Sequence, residues 1–364
     1  MKRVLCIVSS LDTGGAETFM MKIFRGMPEE YKMDFIVSTN YGYYENEVIC
    51  LGGKIHRIPL RTKKPITSFF AIRSIVKKNR YEYVLKLCDT PIGVFDLLAA
   101  REGGAKVLCV RSCNASSSES SLKRIVNQIL RPVLNKVANV KLAPSRLAAE
   151  YTFGKKEVDQ GKVTFLKNAV DLNIYKFDEK ARKSIRESYG INDKQLVCGH
   201  IGRFNYQKNH KFLIDTFKSV VDKQPDAVLL LVGTGELLSD IKKQISSYGI
   251  GKNVIFCGVR SDVPELLSAM DVFLLPSWFE GMPNTVIEAQ AVGIPAVISD
   301  RITKEANITN NIKYLPIEDK DTWVAEILRS WKSGRIDSYQ SFVLNKYDIQ
   351  SSVMEFIKCI FGKE

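Results

Sequence analysis

The chain is predicted to be an α/β protein built of two doubly wound, Rossmann-like parallel-sheet domains. Three observations carry this. Short apolar runs alternate with helical patterns from the first residues onward, as parallel strands joined by helical crossovers do. The same rhythm restarts after a polar, charged stretch near the middle. The length, 364 residues, is long for one domain and comfortable for two. Ligands of such sheets lie beyond the carboxyl ends of the strands, so a cleft between two facing halves is the expected site.

Residues 4–8 read as a buried strand, and Gly14-Gly15 then opens a helix to about Arg25. Strands follow at 35–38 and, shorter, at 54–59. Residues 67–78 form an amphipathic helix, with Phe70, Ile72, Ile75 and Val76 set against Arg73, Lys77 and Lys78. Residues 83–87, 92–100 and 107–110 repeat strand, helix, strand. A long helical pattern covers 122–137, and Pro132 inside it predicts a kink or a break. A boundary falls between Phe165 and Phe177, dividing the chain into 1–167, 168–345 and a closing segment, 346–364. In the second half, strands are expected at 196–201, 227–232, 254–257, 272–275 and 294–298. Helices are expected at 209–221, 236–246 and 263–268, and after Pro283. The last helical pattern is 349–361.

Hydrophobic content of 45% with 26% charged residues fits a packed globular protein. The eight cysteines form no C-x-x-C pair, and they read as reduced thiols in a cytosolic protein. The apolar start is too short for a signal peptide, and no run approaches the ~20 residues of a membrane span. The expected location is cytoplasmic, at most peripheral on the inner face of the membrane. Net charge is +13, and the first 165 residues hold 27 basic against 15 acidic side chains, nearly the whole excess. Nine basic and no acidic residues fall between 54 and 80. Such a run is either a solvated basic face or a surface that meets anionic lipid or a phosphate-bearing acceptor. Nucleic acid is not expected, because no nucleic-acid-binding signature is present.

The most informative stretch is Trp278 to Gly293, W-F-E-G-M-P-N-T-V-I-E-A-Q-A-V-G, lying between two apolar runs. It reads as strand, loop, helix, strand. Pro283 and Asn284 make a helix entry, with Asn284 as the cap and the N–H groups of Thr285, Val286 and Ile287 left bare. A bare helix start is an anion site. Glu280 in the loop and Glu288 inside the helix flank it, one beside the anion and one suited to vicinal hydroxyls. An anion between two sets of hydroxyls describes a nucleotide diphosphate sugar. An ordinary amphipathic helix with two surface glutamates has the same spacing, so the partner motifs matter. Gly202-Arg203 with Lys208 and His210 follows the strand at 196–201, and Gly14-Gly15 follows the first strand. Leu231-Val232-Gly233-Thr234-Gly235 and Phe256-Cys257-Gly258-Val259-Arg260 are further turns at strand ends. The G-x-G-x-x-G of dinucleotide enzymes is absent.

Glu280 and Glu288 reproduce the E-x7-E arrangement of retaining glycosyltransferases of family four, whose two-domain architecture is called GT-B. The phrase from Glu280 to Glu305 is similar to the exopolysaccharide and capsule branch of that family. The Gly202–His210 segment resembles the family's G-R-x4-K-x-H. The resemblance implies a first domain for the acceptor, a second for the donor, and a last helix returning to the first. It implies that Arg203 and Lys208 grip the donor diphosphate, that Glu288 holds ribose hydroxyls, and that Glu280 contacts the donor sugar, helped by the amides after Met282. Pro283, Asn284, Thr285 and Val286 would line the donor there. Gly14 and Gly15 would face the phosphates, Gly202 and Gly233 would line the nucleotide pocket, and Gly258 would hold the base through backbone atoms. A UDP-sugar is expected ahead of a GDP-sugar, and a glycan or lipid-linked glycan as acceptor. One departure stands out. Where many relatives carry H-S-H-N, this chain has Arg111-Ser112-Cys113-Asn114, so Arg111, Cys113 and Asn114 are the acceptor-side candidates. No D-x-D pair lies by the expected strand, and no metal or cofactor is expected. His210 reads as a supporting residue. A nucleotide-sugar epimerase on the same architecture and a non-catalytic donor-binding paralogue are the alternatives.

Overall fold

Every strand pairing is parallel, and the strands fall into two separate sheets. The computed structural model describes residues 1–12, 14–88, 90–113 and 121–362, without the side chains of 121–124. The chain divides into two units, Met1–Ala169 with Lys346–Glu364, and Val170–Asn345.

The first unit opens with β1 (Lys2–Ile7), α1 (Gly15–Gly26), β2 (Tyr31–Val37), α2 (Glu45–Cys50), β3 (Ile55–Arg57) and α3 (Pro65–Asn79). It continues with β4 (Tyr83–Cys88), α4 (Val94–Glu102), β5 (Val107–Ser112), α5 (Ser121–Val137) and β6 (Val140–Ala143), then α6 (Arg146–Phe153), α7 (Lys155–Asp159) and β7 (Thr164–Phe165). The sheet order is β3-β2-β1-β4-β5-β6-β7. Side chains alternate between faces, and both faces are covered, which is why these strands read as continuous apolar runs. Val4, Cys6, Phe35 and Leu85 meet Met20 and Phe24 of α1. Leu5, Ile7, Ile36 and Val84 meet Ile72 and Val76 of α3 and Leu97 of α4 on the other side.

The second unit contains α8 (Glu179–Ser188), β8 (Val197–Ile201), α9 (His210–Lys223), β9 (Val228–Val232), α10 (Leu238–Ser247) and β10 (Val254–Gly258). It goes on with α11 (Val263–Ala269), β11 (Val272–Leu275), α12 (Asn284–Ala291), β12 (Ala296–Ser299), β13 (Ile312–Leu315), α13 (Lys320–Ser333) and α14 (Tyr339–Leu344). Its sheet order is β10-β9-β8-β11-β12-β13. The final helix, α15 (Ile349–Phe361), is capped by Asp348, whose carboxylate accepts from the Ser351 N–H at 2.8 Å. It belongs to the first unit, where Val353, Phe356, Ile360 and Phe361 are buried. Phe361 packs on Tyr31 and Tyr83 with ring centroids 4.9 and 4.8 Å apart.

Several local expectations change. Phe70 is 55% exposed, and α3 buries Ser68, Ile72 and Val76 instead. Pro132 lies inside α5 without dividing it. The charged stretch after the boundary is a helix, α8, whose buried residue is an arginine rather than an aliphatic. Arg186 donates to Asp271 at 2.7 Å and to the carbonyls of Ala269, Asn192 and Gln195, and Arg182 reaches the same carboxylate at 2.8 Å. Arg335 joins them, donating to the carbonyls of Val292 and Ser268, and burial pushes its guanidinium down to about 9. Ion pairing therefore replaces the apolar stripe that would have announced α8. No disulfide joins any of the eight cysteines.

Candidate active site

In the second unit the chain order reverses between β8 and β11, which pair directly, Val272 with Cys198 and Phe273 with Gly199. The crevice at the carboxyl ends of such a strand pair is where doubly wound sheets hold ligands. The loop after β8 and the loop after β11 meet there. Lys208 Nζ donates to Glu280 Oε1 at 2.6 Å, and the buried Ser277 hydroxyl donates to the same oxygen at 3.1 Å. The Trp278 N–H donates to the Gln207 carbonyl at 2.9 Å, while Gln207 Nε2 donates back to the Phe279 carbonyl at 2.9 Å. The rings of Tyr206 and Trp278 stack, with centroids 6.0 Å apart and planes 10° from parallel. The two loops are thus joined residue by residue. Lys208, read from sequence as a cation for the donor, is already paired with the glutamate expected beside the donor sugar. Arg203 is more exposed and loosely held, with Nε 3.4 Å from Glu236.

Three glycines sit at the ends of β8, β9 and β10. The Gly202 N–H donates to the Val232 carbonyl at 3.0 Å, and the Gly233 N–H to the Gly258 carbonyl at 2.7 Å. Gly233 has φ +132°, and a Cβ there would stand 2.2 Å from the Gly202 oxygen, so only glycine fits. At Gly202 the need is space, since a Cβ would lie 3.1 Å from Cε of Lys208. Beneath this loop His200 and His210 are fully buried with ring centroids 4.6 Å apart, and His210 stacks on Phe204 at 4.1 Å. His200 Nδ1–H donates to the Leu274 carbonyl at 2.9 Å. Burial first, and Lys208 second, push His210 down to about 4. Burial and then His210 hold His200 well below the usual imidazole value. Both rings stay neutral at physiological pH and form the floor under Lys208.

The start of α12 differs from the sequence reading. Asn284 is the first helical residue rather than the cap, and Pro283 stands at the cap without a side-chain bond. The Val286 and Ile287 N–H groups donate to the Pro283 carbonyl at 3.1 and 3.3 Å, so neither is bare. Thr285 is different. Its N–H has no acceptor among the described residues, and its buried Oγ1 has no partner either. Met282 packs against the core, the Val286 side chain is inside it, and Glu288 is buried one turn into the helix. Among the described residues no group of three His, Cys, Asp or Glu side chains is placed to hold a metal ion.

In the first unit Gly14 stands at the cap of α1 with φ −74°, an ordinary value, and Gly15 begins the helix, so neither glycine is there for a left-handed backbone. Arg111 requires revision. Expected to offer a hydrogen bond toward the acceptor, its side chain is only 1% exposed, lies 4.2 Å over the Phe19 ring and donates to Asn168 Oδ1. Burial pulls its pKa down. Cys113 is half-buried, its thiol 3.6 Å from the Arg111 carbonyl. Asn114 lies outside the described residues. Ser277, Gln207 and the Tyr206–Trp278 stack were not anticipated. The adjacency of Tyr206, Gln207 and Lys208 was the one available signal.

Residues 181–346 match the family model described as glycosyl transferases group 1. The putative glycosyltransferase EpsF of Bacillus subtilis (strain 168) is 30% identical over 342 residues, 92% of this chain and 89% of that protein. The UDP-Gal:alpha-D-GlcNAc-diphosphoundecaprenol alpha-1,3-galactosyltransferase of Escherichia coli is 27% identical over 276 residues, 73% of this chain and 70% of its own length. Among solved structures, Anabaena HepE in complex with UDP and glucose shares the fold, with a TM-score of 0.79 at 17% identity, over 98% of this chain and 99% of that one. The chain belongs to the group 1 glycosyltransferases, and its two parallel-sheet units are those of the GT-B fold.

Proposed function

We propose that the protein moves a sugar from a nucleotide diphosphate donor, UDP-linked rather than GDP-linked, to a glycan or lipid-linked glycan, with retention at the anomeric carbon, in building a cell-surface polysaccharide. The observation that carries this is the pairing of Lys208 with Glu280 at the β8–β11 crevice, with Thr285 N–H and Oγ1, at the start of the helix that follows the Glu280 loop, unpartnered among the described residues. When the sugar–phosphate bond breaks, negative charge grows on the diphosphate, and fixed donors stabilise it most where water is excluded. Lys208, Arg203 and the start of α12 are those donors, so no metal or cofactor enters the reading. Retention accords with the histidines: His200 and His210 are buried, and His56 Nε2 bonds Tyr81 at 2.9 Å in the first unit. No histidine is left as an exposed base, and the leaving phosphate can take the acceptor's proton. The UDP preference draws on HepE, solved with UDP and glucose, and on the E. coli enzyme, named for UDP-Gal.

Thermal stabilisation by UDP, GDP, ADP and their sugars, with EDTA present, tests the donor site. Saturating UDP-sugar, at ~100 times its dissociation constant, should add about 2.7 kcal/mol. Glu288→Ala should lose most of that shift. No shift with any nucleotide, or a shift kept in full by Glu288→Ala, would falsify the site.

The acceptor reading includes an anionic membrane surface met by the first unit. Among the described residues no helix is long and apolar enough to cross a membrane. Of the nine basic residues between 54 and 80, Arg57, Arg61 and Arg73 pair with Glu45, Asp96 and Glu102, so the free positive charge is smaller than the sequence implied. Lys63, Lys64, Lys77 and Lys78 remain exposed. Beside them Ile66 and Phe70 of α3, Phe95 of α4, and Ile125 and Ile129 of α5 are exposed on neighbouring helices. Apolar side chains rimmed by lysines suit a lipid interface. The protein should co-sediment with phosphatidylglycerol vesicles and not with phosphatidylcholine, and Phe70→Glu with Ile129→Glu should weaken this about tenfold. Equal sedimentation of that variant would remove the assignment.

A further inference from the structure

We infer that the Tyr206–Trp278 stack is a sugar-binding platform at the edge of the transfer site, taking the apolar face of a pyranose ring. The inference rests on the glycosyltransferase reading and adds to it a contact that the paired glutamates do not supply. Tyr206 is 70% exposed, high for an aromatic ring. It is held flat at its other face by Trp278, in the offset parallel arrangement that aromatic pairs favour. The backbone of Trp278 is tied to the Gln207 carbonyl through the main-chain N–H, and its ring is covered by the Arg301 guanidinium, 4.8 Å from the ring centroid. Tyr206 is two residues from Lys208 and Trp278 two residues from Glu280, so the stack and the ion pair bridge the same two loops. A rigid aromatic surface with one open face and charged hydrogen-bonding groups nearby matches a sugar. The C–H face of the ring stacks, and the hydroxyls reach sideways to the polar groups. Exposed aromatics scattered singly need no explanation; this one is stacked on a second ring, on the loops that carry Lys208 and Glu280.

The ring could serve the donor sugar or an acceptor sugar, and two arms separate these. Tryptophan fluorescence and saturation-transfer NMR are read on wild type, Tyr206→Phe and Tyr206→Ala, with UDP, UDP-glucose, UDP-galactose and the methyl α-glycosides of glucose, galactose and N-acetylglucosamine. Tyr206→Phe should match wild type throughout, because the ring and not the hydroxyl makes the contact. Tyr206→Ala should keep its UDP affinity within about twofold. It should lose about tenfold either in methyl glycoside binding, which assigns an acceptor sugar, or in the affinity that a UDP-sugar gains over UDP, which assigns the donor sugar. Unchanged binding in both arms overturns the platform, and so does a parallel fall in UDP affinity, which would hand the ring to the nucleotide. A wild type that binds no UDP sinks the donor reading instead, and the methyl glycoside arm still decides the platform.

Discussion

Lys208→Ala is expected to lower kcat/KM for sugar transfer by roughly 10²–10³-fold, about 3–4 kcal/mol, the size of loss seen when one fixed donor to a developing anion is removed. The side chain is mostly buried, 15% exposed, and its stem passes Gly202 with little room to spare. Lys208→Arg should therefore not restore activity, since a planar guanidinium cannot follow the same path. The partner matters as much. Glu280 is 2.6 Å away, and an incoming diphosphate competes with it for the ammonium group. Glu280→Ala alone should also be strongly impaired. The double variant should cost less than the two single losses combined, by more than ~0.5 kcal/mol, as contacting residues do. Steady-state kinetics with the donor found by thermal shift checks this. A Lys208→Ala enzyme within fivefold of wild type, or strict additivity, would mean that the pair has no joint role in transfer.

Asp271→Ala is expected to destabilise the second unit by about 3–5 kcal/mol, because it strands buried guanidinium groups without their carboxylate. Arg186 is 1% exposed and bonds Asp271 at 2.7 Å, Arg182 bonds it at 2.8 Å, and the Val197 N–H donates to it at 2.8 Å. The same carboxylate thus ties α8 to the start of β8 and β11. All three tryptophans, Trp278, Trp323 and Trp331, belong to the second unit, so their fluorescence follows this unit's unfolding alone. That is useful, because two units need not unfold as one transition. The tryptophan-monitored midpoint should fall by roughly 10 °C. A midpoint within about 2 °C of wild type would show that the arginines find other partners.

The strands were legible because both faces of each sheet are covered, so runs such as Leu229-Leu230-Leu231 carry no polar interruption. What escaped follows a different rule. Helix α8 has no apolar stripe, since its anchor is an arginine whose carboxylate lies 85 residues away. Phe70 has the right spacing for a core residue and the wrong side of the helix. Asn284 has the chemistry of a cap, yet Pro283 takes the position. Lys208 and Glu280 were singled out separately, by their motifs, but their bond joins residues 72 apart and no spacing announces it. Arg111 is read from its place in the Arg111-Ser112-Cys113-Asn114 run, and its burial on Phe19 depends on a helix far earlier in the chain.

The first unit is discontinuous: α15, at the far end of the chain, supplies Phe356, Ile360 and Phe361 to a core begun by β1. Along the chain, α15 comes after every residue of the second unit. Until α15 docks, the sides of Met20, Phe24, Tyr31 and Tyr83 that it covers are open to water. The core of the first unit therefore cannot be completed by its first 169 residues alone, and its closure depends on a segment that lies beyond the whole second unit in sequence.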